Sequence, residues 1–281
     1  MSTDPRHSTI VLLGHGSTLN AQSTAPVRLH ADLLRAKGTF GQVLEAYWKQ
    51  EPSYAAVLRS AWHPDVFAVP VFISEGYFTQ QVIPRELGLP IASNSPPEGV
   101  HRVGRHRVHY CGPVGTHPSM TRVIAARALR ILAGHPSPEG SPEPTRVSLF
   151  VAGHGTSNSE NSRRAIEEHV ALLRSIGPFH DVHAVFMEES PRIQDIPSMA
   201  LAPNVVVVPF FLSNGLHSQE DIPLMLGADP AAVRGRLKLG IHAWENPTRV
   251  HGRWTWYSPA VGDDPAVADV ILERVKERAT D

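Results

Sequence analysis

The sequence predicts an α/β protein built from two tandem doubly wound parallel-sheet domains. Three observations carry that prediction: motifs recurring at one constant spacing, apolar runs alternating with amphipathic stretches, and a Pro- and Gly-rich break near the middle. Residues 11–17 read VLLGHGS and residues 150–156 read FVAGHGT, which sets His15 and His154 139 positions apart. VPVFISEGYFTQQVIP at 69–84 and VPFFLSNGLHSQEDIP at 208–223 repeat at that same offset, as do Pro52 and Pro191. Gapless recurrence over three anchors marks an internal duplication. A fourth pair, the VG of 114–115 and that of 261–262, lies 147 apart, so the second copy gains about eight residues somewhere in 234–257.

Each copy opens on a short apolar run, 10–13 or 147–151, bounded by glycine, the mark of a parallel strand buried on both faces. Amphipathic helix text follows at 26–37 and 162–175. Apolar runs at 43–47 and 66–72, and at 182–187 and 205–212, predict the next strands; helices at 119–132 and 266–278 close the copies. Such alternation builds a parallel sheet covered by helices on both faces, here about four strands each. Residues 134–145 (GHPSPEGSPEPT) suit neither a helix interior nor a sheet ladder and read as an exposed connector. The domains are therefore expected at 1–140 and 141–281.

Bulk properties exclude several functions. With 26 Lys plus Arg against 27 Asp plus Glu there is no global basic field for nucleic acid. The longest apolar run, 205–212, is too short to cross a bilayer, and the first residues lack the apolar core of a signal peptide. One cysteine, Cys111, rules out an internal disulfide and a Cys-rich zinc site. A cytoplasmic protein, monomer or homodimer, with no membrane or nucleic-acid partner is expected. Histidine is abundant, but much of it sits in arginine-rich text such as HRVGRHRVH at 101–109, so position must decide which matter.

In open α/β sheets ligands gather at the carboxyl ends of strands, where the crossover direction reverses. Both recurrent motifs fall there. With strand order 2-1-3-4 the loops after the first and third strands are neighbours, and His154 and His217 share one crevice. Gly153 and Gly155 let the backbone turn beside His154. Asp221, four residues after His217, shares its face in a helical turn and can orient the imidazole as a partner of a metal-bound histidine does. Asp221 serves equally as a charge at a helix N-terminus.

At these residues the chain resembles the class II chelatases of the CbiX/SirB type, in the long form with two repeats. The resemblance rests on the HG[ST] loops, the acidic segment before a proline, the VPxFL…GxHxxxDIP element and the closing helices. It implies flavodoxin-like, chelatase-like halves related by pseudo-twofold symmetry that insert a divalent metal into sirohydrochlorin, or a related tetrapyrrole, on the routes to cobalamin and sirohaem. The family's histidine pair carries over onto His154 and His217 as metal ligands and catalytic groups, with Glu188 or Glu189 in the acidic role. The first half departs from the pattern: Phe78 stands where the second histidine belongs and Val82 where the aspartate does. One metal site per chain is the expectation.

Imidazole ligands suit Co²⁺, Fe²⁺ and Ni²⁺ alike, so all three are admitted as substrate. The sequence holds no P-loop, and no nucleotide is expected. Candidate donors to the tetrapyrrole's carboxylates are Ser157, Asn158, Ser213 and Asn214, with His15, Ser17, Thr18 and Asn20 in the first half. Arg163 and Arg164 are weighed for the same task against plain solvation. The main alternative is a non-catalytic descendant that binds a tetrapyrrole or a metal. A serine hydrolase lacks its GxSxG elbow, and an RHG phosphatase lacks its arginine. The segment 242–251 (HAWENPTRVH) is either an aromatic cap or a packed hairpin.

Overall fold

The computed structural model describes residues 4–17, 21–90, 97–155 and 160–279. Each repeat holds one five-stranded sheet. In the first, β1 (Ser8–Gly14), β2 (Gln42–Tyr47), β3 (Asp65–Pro70), β4 (Gly99–Val103) and β5 (His106–Tyr110) lie in the order β2-β1-β3-β5-β4. In the second, β6 (Val147–Gly153), β7 (Asp181–Phe186), β8 (Asn204–Pro209), β9 (Thr248–Val250) and β10 (Arg253–Tyr257) lie in the matching order β7-β6-β8-β10-β9. The central strands β1 and β6 are buried at every residue, as two-sided cover requires.

Four strands of each sheet are parallel, as expected. The fifth is an addition: β4 and β9 run antiparallel to β5 and β10 at the sheet edge. The arginine-rich text at 101–109 is this hairpin. Val108 and His109 of the inner strand β5 are buried, while the edge strand β4 carries His101 and Arg102 and no fully buried residue, as a solvent-facing edge requires.

The long helices are α1 (Ala25–Lys37), α2 (Met120–Gly134), α3 (Glu160–Ile176), α4 (Pro230–Lys238) and α5 (Val267–Ala279). The extra residues of the second repeat overlap the stretch the sequence suggested, toward its N-terminal end. The β9–β10 hairpin has its counterpart in the first repeat, so the surplus of eight falls between the Ile222-Pro223 pair and that hairpin, the stretch that holds α4. Of the two readings of 242–251, the packed hairpin is the one found: β9 pairs antiparallel with β10, and Trp244, 2% exposed, is packed rather than capping, its indole donating to the Thr255 carbonyl at 3.2 Å.

The compact units are not the two repeats. One unit comprises Met1–Met120 with Pro265–Asp281, and the other Thr121–Asp264. The closing helix α2 thus belongs with the second sheet and α5 with the first. The connector at 134–145 joins α2 to β6 inside a single unit, and the chain passes between units at 120 and 264. The connector is also tied down: the Trp256 indole donates to the His135 carbonyl at 2.7 Å. The repeat boundary near 140 and the boundary between compact units are separate features of this chain.

Charge pairing differs where each closing helix lies. Asp264, fully buried, pairs with Arg127 and Arg130 of α2. At the matching positions in the other unit, 147 residues away, His117 lies 3.2 Å from Glu277 of α5 and Arg274 donates to Thr116 at 2.6 Å. At one matched pair the order is exchanged, Arg130 with Asp264 becoming Glu277 with His117, while Arg127 and Arg274 are both arginine and find different partners. No helix among the described residues is long and apolar enough to span a membrane.

Candidate metal-handling site

His154 leaves the carboxyl end of β6, and His217 opens a turn after the neighbouring strand β8. Gly155 makes the first loop possible. Its φ is +66°, and a Cβ there would come within 2.7 Å of both Phe186 Cβ and Glu189 Cγ. His154 Nδ1 lies 3.0 Å from the Gly155 carbonyl oxygen. A carbonyl only accepts, so the proton is on Nδ1 and the Nε2 lone pair faces outward.

The second loop forms a π-helical turn, His217–Asp221, closed by the Ile222 N–H on the His217 carbonyl. Pro223 accounts for the widening: it has no N–H to give the Gln219 carbonyl, and its ring crowds that position. The expected helical turn is therefore π rather than α, yet it still brings Asp221 onto His217. Oδ2 sits 2.7 Å from Nδ1. The carboxylate accepts a hydrogen bond from Nδ1–H, which leaves the Nε2 lone pair as the ligand atom here too.

The rings converge, with centroids 4.9 Å apart and planes at 85°. Metal–nitrogen bonds of about 2.1 Å put an ion roughly 3 Å from each ring centre, so two imidazoles sharing one ion have centroids about 5 Å apart. Both side chains are partly open to solvent, so an ion can enter. Among the described residues no group of three or more His, Cys, Asp or Glu side chains is arranged to hold a metal. Two imidazoles alone leave most of an ion's coordination positions free.

The two glutamates separate clearly. Glu188 Oε1 lies 3.7 Å from His154 Nε2, on the ligand side of the ring. Glu189 turns away to accept from Arg163 at 3.1 Å. Arg163 also donates to Glu167 at 2.9 Å and to the Ser190 carbonyl at 3.0 Å, so its guanidinium is committed to the loop. Arg164 lies near Glu168 on the next face of α3.

Asn214 is bonded at both ends of its side chain. Its amide nitrogen donates to Asp263 at 2.5 Å and its oxygen accepts from the Ala260 N–H at 2.9 Å. Both ends hold the loop to the 260–264 turn. Gly262 permits that contact, since a Cβ there would fall 2.0 Å from the Leu212 carbonyl oxygen. The Ser213 carbonyl accepts from Ser218 Oγ at 3.4 Å. Ser157, Asn158, Thr18 and Asn20 lie outside the described residues.

Sequence reasoning missed Tyr257, whose hydroxyl donates to the Ser218 carbonyl at 2.6 Å and braces the π turn from β10. Burial pushes its ionisation well above the ordinary phenol range, which keeps it a donor. Tyr110 does the same for Thr79 in the other unit. Their shared offset of 147 was a readable signal.

His15 and Ser17 belong to the unit without the histidine pair. His15 Nδ1 lies 2.8 Å from the Gly16 carbonyl, and the Ser17 N–H donates to Gln50 Oε1 at 3.3 Å. His15 meets Phe78 edge to face at 4.7 Å.

A sequence model of the CbiX family matches residues 9–131 and again 148–278. The chain is 42% identical to a probable sirohydrochlorin cobaltochelatase of Halobacterium salinarum, over 95% of this chain and 90% of that protein. A multi-domain protein of Deinococcus radiodurans, with structural similarity to chelatases and two additional domains, superposes with TM-score 0.76 at 34% identity. That match covers 96% of this chain, which spans only 55% of the Deinococcus protein. SirB from Bacillus subtilis, solved with Fe³⁺, has TM-score 0.67 at 18% identity, covering 97% of this chain and 95% of that one.

Proposed function

The chain belongs to the CbiX family, and from that premise we propose that it inserts a divalent metal, Co²⁺ or Fe²⁺, into sirohydrochlorin. The observation that carries the proposal is the convergence of His154 and His217, each with Nδ1 occupied by an acceptor and Nε2 left to bind. Cobalt is named for the Halobacterium relative and iron for the Bacillus structure. Nickel, which ligand type alone admitted, has no counterpart among these relatives and drops from the reading.

Insertion needs a partly dehydrated ion, removal of two pyrrole protons and release of the ion to the ring. A two-imidazole site suits a cargo ion, because its open coordination positions can be taken by pyrrole nitrogens. As the ion moves to the ring, Nε2 of His154 regains a free lone pair and can accept a pyrrole proton. Glu188, 3.7 Å away, passes that proton on to solvent, which frees the imidazole to take the second pyrrole proton. Asp221 holds the His217 ring in place throughout. Glu189 and Arg163 position the His154 loop, and Asn214 positions the His217 loop.

Anaerobic incubation with sirohydrochlorin and Co²⁺, followed by absorbance, tests this. Wild type converts the macrocycle, while His154→Ala and His217→Ala do not, and His15→Ala does. Uptake of macrocycle and metal by the wild type without conversion would instead favour a non-catalytic binding descendant, which the degenerate first half also fits.

A further inference from the structure

Matching positions of the two repeats, 139 residues apart, differ in a consistent direction. Where the second repeat has Met187, Ile193, Leu216 and His217, the first has Trp48, Tyr54, Tyr77 and Phe78. Phe72 matches Phe211. Charge changes too: Lys49 replaces Glu188, and Arg28 replaces Glu167. A site that had merely decayed would not gain an aromatic ring at three positions, exchange an imidazole for a phenyl at a fourth and take a cation at two more.

The gained rings form one cluster at the carboxyl ends of β1, β2 and β3. Phe78 is its hub, with His15 at 4.7 Å, Tyr77 at 5.8 Å, Phe72 at 6.0 Å and Trp48 at 6.3 Å between ring centres. Trp48 stacks on Tyr54 at 6.4 Å. A plug filling a vacated metal site would be buried. Here Tyr77 is 60% exposed, Trp48 and Phe78 are only half-buried, and Lys49 is exposed with its ammonium 5.8 Å from the Trp48 ring. Arg28, also exposed, lies against the Tyr47 hydroxyl.

We infer that this strand-end cluster of the first repeat is a binding platform for the macrocycle: Trp48, Tyr77 and Phe78 receive its planar face, and Lys49 and Arg28 its carboxylates. Open aromatic surface suits a flat conjugated ring, and cations flanking it suit a polycarboxylate. The exchange of acids for bases removes the repulsion that Glu188 and Glu167 would have produced at this place. The inference rests on the chelatase reading.

Its test separates the two. Metal-free sirohydrochlorin is titrated into wild type, Lys49→Glu, Phe78→Ala and Phe78→Trp, with Co²⁺ affinity measured on each protein without macrocycle. The platform predicts that Lys49→Glu weakens macrocycle binding about tenfold and Phe78→Ala about fivefold. It also predicts that Phe78→Trp stays near wild type and that Co²⁺ affinity is unchanged in all of them. If wild type binds and the first two variants bind equally well, the platform is wrong and the chelatase reading stands. If wild type takes up no sirohydrochlorin, both fall.

Discussion

His217 meets a carboxylate four residues on; Phe78, at the matching position of the first repeat, meets four aromatic rings. Both side chains open a π-helical turn ahead of an Ile-Pro pair, and both follow the third strand of an identically ordered sheet. The backbone is the same device used twice, and five side chains decide what it does. In the second repeat they are His154, His217, Asp221, Glu188 and Glu189, a set able to hold and deprotonate. In the first they are His15, Phe78, Val82, Lys49 and Gln50, a set with one imidazole and no carboxylate. Fold and chemistry are separable here because the strand ends supply position and the loops supply function.

Substitutions can sharpen or break that contrast. The largest effect is expected for His217→Ala, which removes one of the two proposed ligands: cobalt insertion should fall at least ~100-fold, more than loss of an orienting partner costs. His15→Ala should change it less than about twofold, since His15 has no second imidazole beside it. Equal losses in both variants would erase the distinction between repeats.

Asp221→Ala comes next. Without the acceptor at 2.7 Å the His217 ring loses its fixed tautomer, and Co²⁺ affinity measured by dialysis should drop about 10- to 100-fold. Asp221→Asn keeps an oxygen acceptor and should recover part of that.

A smaller effect separates the two HG loops by stability rather than chemistry. Gly155→Ala forces an L side chain to a φ of +66° and against Phe186 and Glu189, so thermal unfolding should reveal a loss of about 2 kcal/mol. Gly16→Ala has the same strain with looser neighbours, 3.0 Å from Tyr47 Cβ, and should lose less. Smallest of all is Phe78→His. Its new imidazole would find Val82, 1% exposed, where Asp221 stands in the other repeat. Cobalt stoichiometry should not rise.

Much of this was legible in the sequence. The offset of 139 announced the repeat, and strand-end logic was enough to bring His154 and His217 together across the intervening chain. The Asp221 contact followed from spacing alone, even though the turn is π where α was expected, because one residue more or less per turn still leaves positions i and i+4 close. The exchange of α2 and α5 was not legible. Either helix has the apolar stripe to close either sheet, and the evidence of which does so lies in a handful of charges. Arg130 with Asp264 and Glu277 with His117 only make sense once the contacts are known. The commitment of Asn214 to Asp263 was hidden for the same reason: partners 49 residues apart leave no local signature. The glutamate pair was ambiguous because adjacent residues in a loop point to different sides. The contacts resolve it: Glu189 accepts from Arg163, and Glu188 is left beside the His154 ring.

Equilibrium dialysis of Co²⁺ against the wild-type protein and the variants His154→Ala, His217→Ala and His15→Ala tests the central claim most directly. One ion per chain, lost in the first two variants and kept in the third, is the predicted result. Two ions per chain, or a single ion that survives removal of both second-repeat imidazoles, would contradict it.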